Sequence, residues 1–168
     1  MSYFSESESD DDLLDERNVP VVWKLLLPFL DPDQAQANQE KLKLLVGKWF
    51  ACVYTEPSTN SKRKADAQQL IFGPATPTLF SMEHGYHTLQ INCCRPYDLE
   101  KKPITVEEYA KIGSDIWNFK ISDIIAGPLD VTFLNNREWE IKNINSISDT
   151  FERCKSIDRH NIFMELYN

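Results

Sequence analysis

The sequence is poor in the residues that build common catalytic and phosphate-binding loops. It has only five glycines and three histidines among 168 residues. Phosphate-cradling loops need several glycines because the backbone must approach the ligand closely, and neither such a loop pattern nor a Gly-x-Ser-x-Gly nucleophile motif occurs. We therefore expect a protein that is not an enzyme.

Long apolar runs and an excess of basic charge are also missing. No segment approaches the roughly 18 apolar residues that a membrane-spanning helix needs. The N-terminus is acidic and polar, unlike a secretory signal or a transit peptide. We therefore expect a cytoplasmic protein whose four cysteines are reduced. The short basic loop Lys62–Lys64 is compatible with nuclear import.

The net charge of −8 is concentrated at one end of the chain. Residues 1–17 contain seven carboxylates and one arginine, so they carry six of the eight net negative charges. The rest is nearly neutral without a basic stripe, which argues against nucleic-acid binding. Because the segment has little apolar area to offset the entropy of ordering, we predict a disordered acidic tail over 1–17 and one β-rich globular domain over 18–168.

Three serines of the tail match the pattern of acidophilic kinases such as casein kinase 2. Ser5, Ser7 and Ser9 each have an acidic residue three positions later. Phosphorylation would add about −1.5 to −2 charges at each site and deepen an already negative segment. These serines are therefore predicted phosphorylation sites.

The end of the tail resembles an acidic dileucine sorting signal. Leu13 and Leu14 follow three aspartates that begin at Asp10. Two leucines flanked by acids can dock in an apolar groove with a basic rim. Asp10, Leu13 and Leu14 are therefore candidates for binding another protein, and a solubilising tail with two incidental leucines is the alternative. The compact size and the motif-rich tail would suit an accessory protein of a virus.

Two helices are predicted before the β-rich part of the chain. The first occupies 18–31, with Asn18 as its N-cap and Pro28 as the residue that kinks or ends it. The second occupies 32–46 and is followed by Gly47, which suits a left-handed C-terminal position.

The first predicted helix is unusually apolar for a segment that follows an acidic tail. Trp23 and Phe29 are its aromatic residues. They either pack on the domain or form an association surface for a partner protein, so both are partner-binding candidates.

Short runs of alternating apolar residues, separated by turn signals, predict strands from residue 48 onward. The last two are predicted over 149–155 and 161–167, the latter from the alternation of Ile162, Met164 and Leu166. Such regular spacing favours a mainly β fold, α+β by content, whose antiparallel meander curls into a barrel. The other runs are 48–55, 68–72, 78–83, 86–93, 115–121, 129–134 and 138–143, with a helical insert at 105–112 and a turn at 135–136.

The sequence Gly47-Lys48-Trp49-Phe50 lies between the second helix and the first strand, in which Trp49, Ala51 and Val53 are predicted to share one face. It resembles the Gly-x-Trp motif that opens the barrel in lipocalins and their cytosolic relatives, in which the Trp closes the barrel floor. The resemblance implies a calycin-like barrel. The order of elements also resembles the cone-shaped α+β fold of nuclear-transport-factor-like proteins, whose N-terminal helices pack into a curved sheet. Neither fold fixes a function.

A cavity in either fold would be apolar with one or two converging polar groups. Trp49, Trp117 and Trp139 are the candidate aromatic lining, and His87 and Arg153 are the candidate polar groups. We expect a non-enzymatic protein-interaction or adaptor module with a phosphorylatable acidic arm. The alternative is a cytosolic binder of a small apolar ligand.

His84, His87, Cys93 and Cys94 form the densest group of residue types that bind metals. A strand over 86–93 would keep the side chains of His87 and Cys93 about 20 Å apart, at roughly 3.3 Å per residue. We therefore expect no metal site and no other cofactor.

Overall fold

The computed structural model describes residues 13–31, 33, 39–56, 67–83, 86–92, 116–133 and 139–167, which form a mixed α+β structure with an antiparallel sheet. The helices are α1 (Val22–Leu26), α2 (Gln39–Lys43), α3 (Ile144–Cys154) and α4 (Arg159–Tyr167), with 3-10 turns at Leu27–Leu30 and Ile121–Asp123. The strands are β1 (Trp49–Glu56), β2 (Ala67–Glu83), β3 (Tyr86–Asn92), β4 (Ile116–Lys120), β5 (Ile124–Leu129), β6 (Val131–Phe133) and β7 (Trp139–Ile141). The predicted insert at 105–112 and the predicted turn at 135–136 lie outside the described residues.

The main sheet is organised by β2, which is 17 residues long and pairs with a different strand along each half. Its first half, over 67–74, pairs antiparallel with β1, and its second half pairs antiparallel with β3. The partner changes between Pro74 and Ala75, and a register shift within the β3 pairing follows between Ala75 and Phe80. Pro77 lies within this shift, outside the paired positions, where a residue without an N–H is tolerated. The prediction of two strands separated by prolines is wrong, because the strand continues through them and changes partner.

The five-stranded sheet is open. Its order is β4-β3-β2-β1-β5, so β4 and β5 lie at the two edges in the part of the chain that the structure describes. The 3-10 turn Ile121–Asp123 joins these two edges directly. The closed barrel that the strand spacing and the Gly-x-Trp resemblance predict is therefore not found among the described residues. β6 and β7 form a separate two-stranded sheet.

Strand β1 separates two core clusters because successive side chains of a strand point to opposite faces. Phe50 and Cys52 belong to the first core cluster, whereas Ala51 and Val53 belong to the second, against which Trp49 packs half-buried. The predicted shared face of Trp49, Ala51 and Val53 is confirmed. The first core cluster is Val19, Val22, Trp23, Leu26, Leu30, Leu45, Phe50, Cys52, Ile71, Ala75, Leu89, Ile91, Phe119, Ile121, Ile124 and Phe163. The second core cluster is Leu14, Ala51, Val53, Leu70, Phe72, Ile125, Ala126, Ile141, Ile147, Phe151 and Cys154.

Trp23 attaches α1 to the first core cluster. Its side chain is fully buried, and its Nε1 donates a hydrogen bond to the carbonyl oxygen of Ile124 at 2.9 Å. Its ring meets that of Phe163 edge-on, with centroids 5.5 Å apart. A buried indole N–H needs a hydrogen-bond partner, and here the partner belongs to β5. One side chain therefore connects α1, β5 and α4.

Helix α1 is shorter than the helix predicted over 18–31. It begins at Val22, and Asn18 is not its N-cap but has a left-handed φ of 62° in the preceding turn. It ends at Leu26, where the 3-10 turn that contains Pro28 follows. The prediction that Pro28 ends the helix is confirmed, since a proline cannot continue the hydrogen-bond ladder.

The second predicted helix, over 32–46, is described in part. Its described helical portion is α2, and a turn over 44–47 follows. Gly47 has a φ of 81°, which confirms the predicted left-handed position.

The penultimate predicted strand, over 149–155, is part of helix α3. The buried residues Ile147, Phe151 and Cys154 recur three and four positions apart, which is the spacing of one helical face. Exposed charged residues fall between them. This segment therefore covers the second core cluster as a helix.

The last predicted strand, over 161–167, is helix α4. Its sequence does alternate, but the buried positions are Arg159 and Phe163, four residues apart. Phe163 and Tyr167, again four apart, stack with ring centroids 6.0 Å apart. The helical period therefore decides the packing, and the alternation does not.

Residues 13–20 hold the start of the described chain against the domain, and we call them the N-terminal anchor. Leu14 is 6% exposed in the second core cluster and forms an isolated β-bridge with Pro20. The N–H of Val21 donates to the carbonyl oxygen of Leu13 at 3.0 Å. The core thus includes a residue of the segment 1–17, of which residues 1–12 lie outside the described part.

Two truncations test the anchor. Removing residues 1–12 should change the free energy of unfolding by less than about 0.5 kcal/mol, as is usual for surface changes. Removing residues 1–17 should lower it by about 2 kcal/mol, because Leu14 then leaves the core. Urea unfolding measures both, with Leu14→Ala in the full chain as the control. Equal stability of the two truncated chains would contradict a structural role for the anchor.

A pair of glycine substitutions tests the packing of β1 against β5. Gly127 has a φ of 147°, and a Cβ there would meet Cδ1 of the Phe50 ring. Gly47 also has a positive φ, but a Cβ there would meet nothing. We expect Gly47→Ala to cost about 1 kcal/mol from backbone strain alone and Gly127→Ala to cost at least 2 kcal/mol more, in the range of overpacking. Thermal and urea unfolding measure both variants. Equal losses of unfolding free energy would contradict the prediction, because they would mean that the Phe50 ring moves aside at no cost.

Candidate functional site

An open groove lies where β1 and the edge strand β4 approach each other. It has a volume of about 480 Å³ and is lined by Val53, Tyr54 and Thr55 of β1 and Ile116, Trp117, Asn118, Phe119 and Lys120 of β4, with Asp123 from the 3-10 turn. The two strands are not neighbours in the sheet. We call this feature the aromatic groove.

Aromatic side chains from both strands form the groove. The rings of Tyr54 and Trp117 have centroids 4.8 Å apart and are tilted by 41°. Trp117 also contacts Phe119, with centroids 6.1 Å apart. Phe119 is a member of the first core cluster, so the groove is rooted in the core.

The apolar side chains at the groove remain accessible. Trp117 is 36% exposed and Ile116 is 52% exposed, although they are neighbours in one short strand. Consecutive strand residues point to opposite faces, so both faces of β4 present an apolar side chain at this end. Exposed aromatic surface of this kind is typical of binding surfaces.

A polar contact fixes the far end of the groove. Arg159 is buried at 8% exposure and donates to Oδ1 of Asp123 from Nε at 3.3 Å and from Nη2 at 3.1 Å. Its Nη1 donates to the carbonyl oxygen of Cys154 at 2.8 Å. One guanidinium therefore joins the start of α4 to the end of the 3-10 turn between β4 and β5 and to the end of α3. A buried charge of this kind needs such partners.

The N-terminal anchor is organised by the carboxylate of Asp15. Its Oδ1 accepts hydrogen bonds from the backbone N–H groups of Arg17 at 2.7 Å and Val19 at 3.3 Å. Its Oδ2 lies 3.0 Å from Nη2 of Arg17 and 3.1 Å from Nζ of Lys24. Burial alone would raise the pKa of Asp15. The hydrogen bonds together lower it by more than burial raises it, so the pKa falls from 3.8 to about 2.

A second, smaller concavity adjoins the anchor. It has a volume of about 280 Å³ and is lined by Leu14, Asn18, Arg153, Cys154, Ser156 and Ile157. We call it the Arg153 pocket. Arg153 is exposed, whereas Cys154 is buried, and burial raises the pKa of its thiol. The accessible chemistry of this pocket is therefore that of a guanidinium and not of a thiolate.

The predicted cavity residues do not come together in one place. Trp117 lines the aromatic groove, and Arg153 lines the pocket beside the anchor. Trp49 packs against the second core cluster. The Nε2 atom of His87 lies 3.2 Å from the hydroxyl oxygen of Tyr167. Tyr167 in turn packs against the first core cluster. Trp139 belongs to β7, paired with residue 133.

The predicted partner-binding residues that the structure describes do not form one exposed surface. Trp23 is fully buried, and Phe29 stacks on Phe80 with ring centroids 6.1 Å apart. Leu14 is buried and Leu13 packs beside it against the second core cluster. In this structure the two leucines are held against the domain. Asp10 and the serines at positions 5, 7 and 9 lie outside the described residues.

Sequence reasoning missed most contributors to the aromatic groove, among them Tyr54, Ile116 and Asp123. The adjacent pair Ile116 and Trp117 was an available signal, because a single strand cannot bury two consecutive large residues on one face. Nothing in the spacing along the chain indicated that β4 would lie near Tyr54. That approach depends on the order of the strands in the sheet.

In the described ranges no cluster of three or more His, Cys, Asp or Glu side chains could hold a metal ion. His84, Cys93 and Cys94 of the weighed ligand group lie outside those ranges. None of the described helices has the length and apolar character needed to cross a membrane. A scan of protein-family models, a search of curated proteins and a search of solved structures each found no match.

The Asp15 contacts predict a dependence of stability on pH. Asp15→Asn should lower the free energy of unfolding by about 1 kcal/mol at neutral pH, the typical net value of a hydrogen-bonded group. Because the folded-state pKa is lowered from 3.8 to about 2, this contribution is present above pH 4 and is lost as the pH falls towards 2. The two proteins should therefore converge in stability near pH 2.

Urea unfolding at pH 7, 4 and 2 measures this difference. The exposed residue Asp149 provides a matched control, and Asp149→Asn should change the stability by less than about 0.5 kcal/mol. A difference between the Asp15 variant and the parent that stayed constant across the three pH values would contradict the assignment.

Proposed function

We propose that this protein is a non-enzymatic protein-interaction module whose aromatic groove binds a segment of another protein. The observation that carries the proposal is the exposure of Trp117 and Ile116 at a groove whose base is continuous with the core. We infer that the occupant presents an aromatic or long aliphatic side chain to the face of Trp117 and Tyr54.

The energetics of aromatic contacts support a protein partner. Trp and Tyr are over-represented among the residues that dominate binding energy at interfaces. Covering a partly exposed Trp contributes roughly 25 cal/mol per Å² of apolar surface removed from water. The ring contacts of Trp117 with Tyr54 and Phe119 restrict its side chain before binding, which reduces the side-chain entropy lost when a partner binds.

The acidic segment supports the same function in a different way. Residues 1–12 contain five carboxylates and no basic side chain. A charge of one sign steers an oppositely charged partner and raises the association rate. Phosphorylation of Ser5, Ser7 or Ser9 would increase that charge. The proposed module thus combines an apolar contact surface with a charged arm that kinases regulate.

The ligand-binding alternative is supported by the size of the groove. A volume of about 480 Å³ is within the range of small-molecule sites. A small apolar ligand would bind at this surface groove, because buried side chains of the first core cluster occupy the space between α1 and the sheet. This second candidate would use the same residues, Tyr54 and Trp117.

One substitution and one control test the proposal. The full chain, expressed with an affinity tag in its own host, is compared with Trp117→Ala and with Leu44→Ala. Leu44 is 68% exposed and does not line the groove, so it is a matched loss of exposed apolar surface. We expect a partner protein whose recovery falls at least about tenfold with Trp117→Ala, a loss of about 1.4 kcal/mol, and is unchanged with Leu44→Ala.

Native mass spectrometry of the same samples separates the two candidates. A bound protein lost in the Trp117 variant supports the interaction module. A bound small molecule lost in that variant supports the ligand-binding alternative and overturns the proposal. Equal recovery of every partner by all three proteins would also overturn it, provided that their unfolding transitions agree.

A further inference from the structure

The Arg153 pocket opens at the place where the acidic N-terminal segment joins the domain. Leu14 forms part of its wall and is fixed there by the anchor. Asp12 precedes Leu14 by two residues, so their Cα atoms are at most about 7 Å apart. An extended chain brings Ser9 within roughly 17 Å of Leu14. Every acidic residue of the run Asp10–Asp12 is therefore close to the pocket by covalent connection alone.

Arg153 differs from the neighbouring cations because it has no acidic partner among the described residues. Arg17 and Lys24 are paired with Asp15, and Lys155 lies 3.2 Å from Glu152. No such pair includes Arg153, and Asp149, four residues earlier on α3, is not within ion-pair distance of it in the described part of the chain. The pocket thus presents an accessible guanidinium whose charge is balanced by no carboxylate of the described ranges.

The remaining wall of the pocket is suited to a polar chain segment. Asn18 and Ser156 contribute side chains that can donate and accept hydrogen bonds. The Ser156 hydroxyl donates to the carbonyl oxygen of Arg153 at 3.2 Å, so its oxygen can still accept a hydrogen bond. Leu14 and Ile157 supply an apolar floor. An anionic segment fits this combination better than an apolar ligand.

We propose that the Arg153 pocket binds the acidic run Asp10–Asp12 of the same chain, and that phosphorylation of Ser9 strengthens this intramolecular contact. A guanidinium binds carboxylate or phosphate through two parallel hydrogen bonds, and phosphate adds more charge and more acceptors than a carboxylate. A short tether of this length gives the arm an effective concentration in the millimolar range. A contact that would be weak between separate molecules is therefore populated within one.

The contact has a consequence for regulation. When the arm lies on the Arg153 pocket, part of its charge is neutralised and the arm is withdrawn from any basic partner. Phosphorylation at Ser9 shifts the arm towards the pocket, whereas phosphates at Ser5 and Ser7 lie farther from it along the chain. This inference does not depend on the aromatic groove or on its occupant.

Nuclear magnetic resonance of the full-length chain tests the proposal. The amide signals of Asp10–Asp12 are compared in the parent, in Arg153→Ala and in Lys155→Ala, with and without phosphate on Ser9. Lys155 is a matched control, because it carries the same charge at the same end of α3. Arg153→Ala should reduce the ratio of bound to unbound arm about tenfold, equivalent to about 1.4 kcal/mol.

Two further measurements distinguish a specific contact from general charge attraction. The Nε–Hε signal of Arg153 should move when residues 1–12 are removed, and Arg153→Lys should restore only part of the binding, because lysine lacks the bidentate geometry. Equal arm signals in all variants would overturn the proposal, and so would equal effects of Arg153→Ala and Lys155→Ala, which would indicate unspecific charge attraction. Arm signals that depend on protein concentration would also overturn it, in favour of contacts between molecules.

Discussion

The pairing of β1 with the first half of β2 is the contact on which the rest of this structure depends. Alternation along β1 sends Phe50 and Cys52 to one face and Ala51 and Val53 to the other, so the sheet has two apolar faces that need cover. The two ends of the chain supply it. Helices α1 and α4 bury the first face, while α3 and Leu14 bury the second. A sheet that is apolar on both faces is stable in water only with such layers.

The functional surfaces follow from the same arrangement. β2 pairs with β1 along its first half and with β3 along its second half, and Trp117 of β4 meets Tyr54 of β1 although these two strands are not neighbours in the sheet. The packing of α3 and Leu14 on the second face of the sheet determines the position of the Arg153 pocket. Leu14 lies in the core beside α3, so the start of the described chain is next to Arg153. The groove and the pocket are thus consequences of packing, and their chemistry comes from the residues that packing leaves exposed.

The sequence alone could predict the local features and not the long-range ones. The left-handed Gly47, the end of α1 just before Pro28 and the shared face of Trp49, Ala51 and Val53 are set by neighbouring residues, and all were predicted. The continuation of β2 through its prolines was not predicted, because the sequence of a strand that changes partner at prolines resembles that of two separate strands. The contact between Tyr54 and Trp117 was equally invisible, since it joins residues 63 positions apart through strand order alone.

The C-terminal helices show why an apolar pattern misleads when it fits two periods. The segment 161–167 alternates, yet Arg159, Phe163 and Tyr167 define a helical stripe that includes a charged residue. A pattern of apolar residues alone does not include Arg159 in this buried helical stripe. Arg159 can nevertheless be buried because it donates hydrogen bonds to Asp123 and to a backbone carbonyl oxygen. The carboxylate that pairs with this arginine lies 36 residues away along the chain. Local pattern therefore identifies the core of this chain well only where the core is purely apolar.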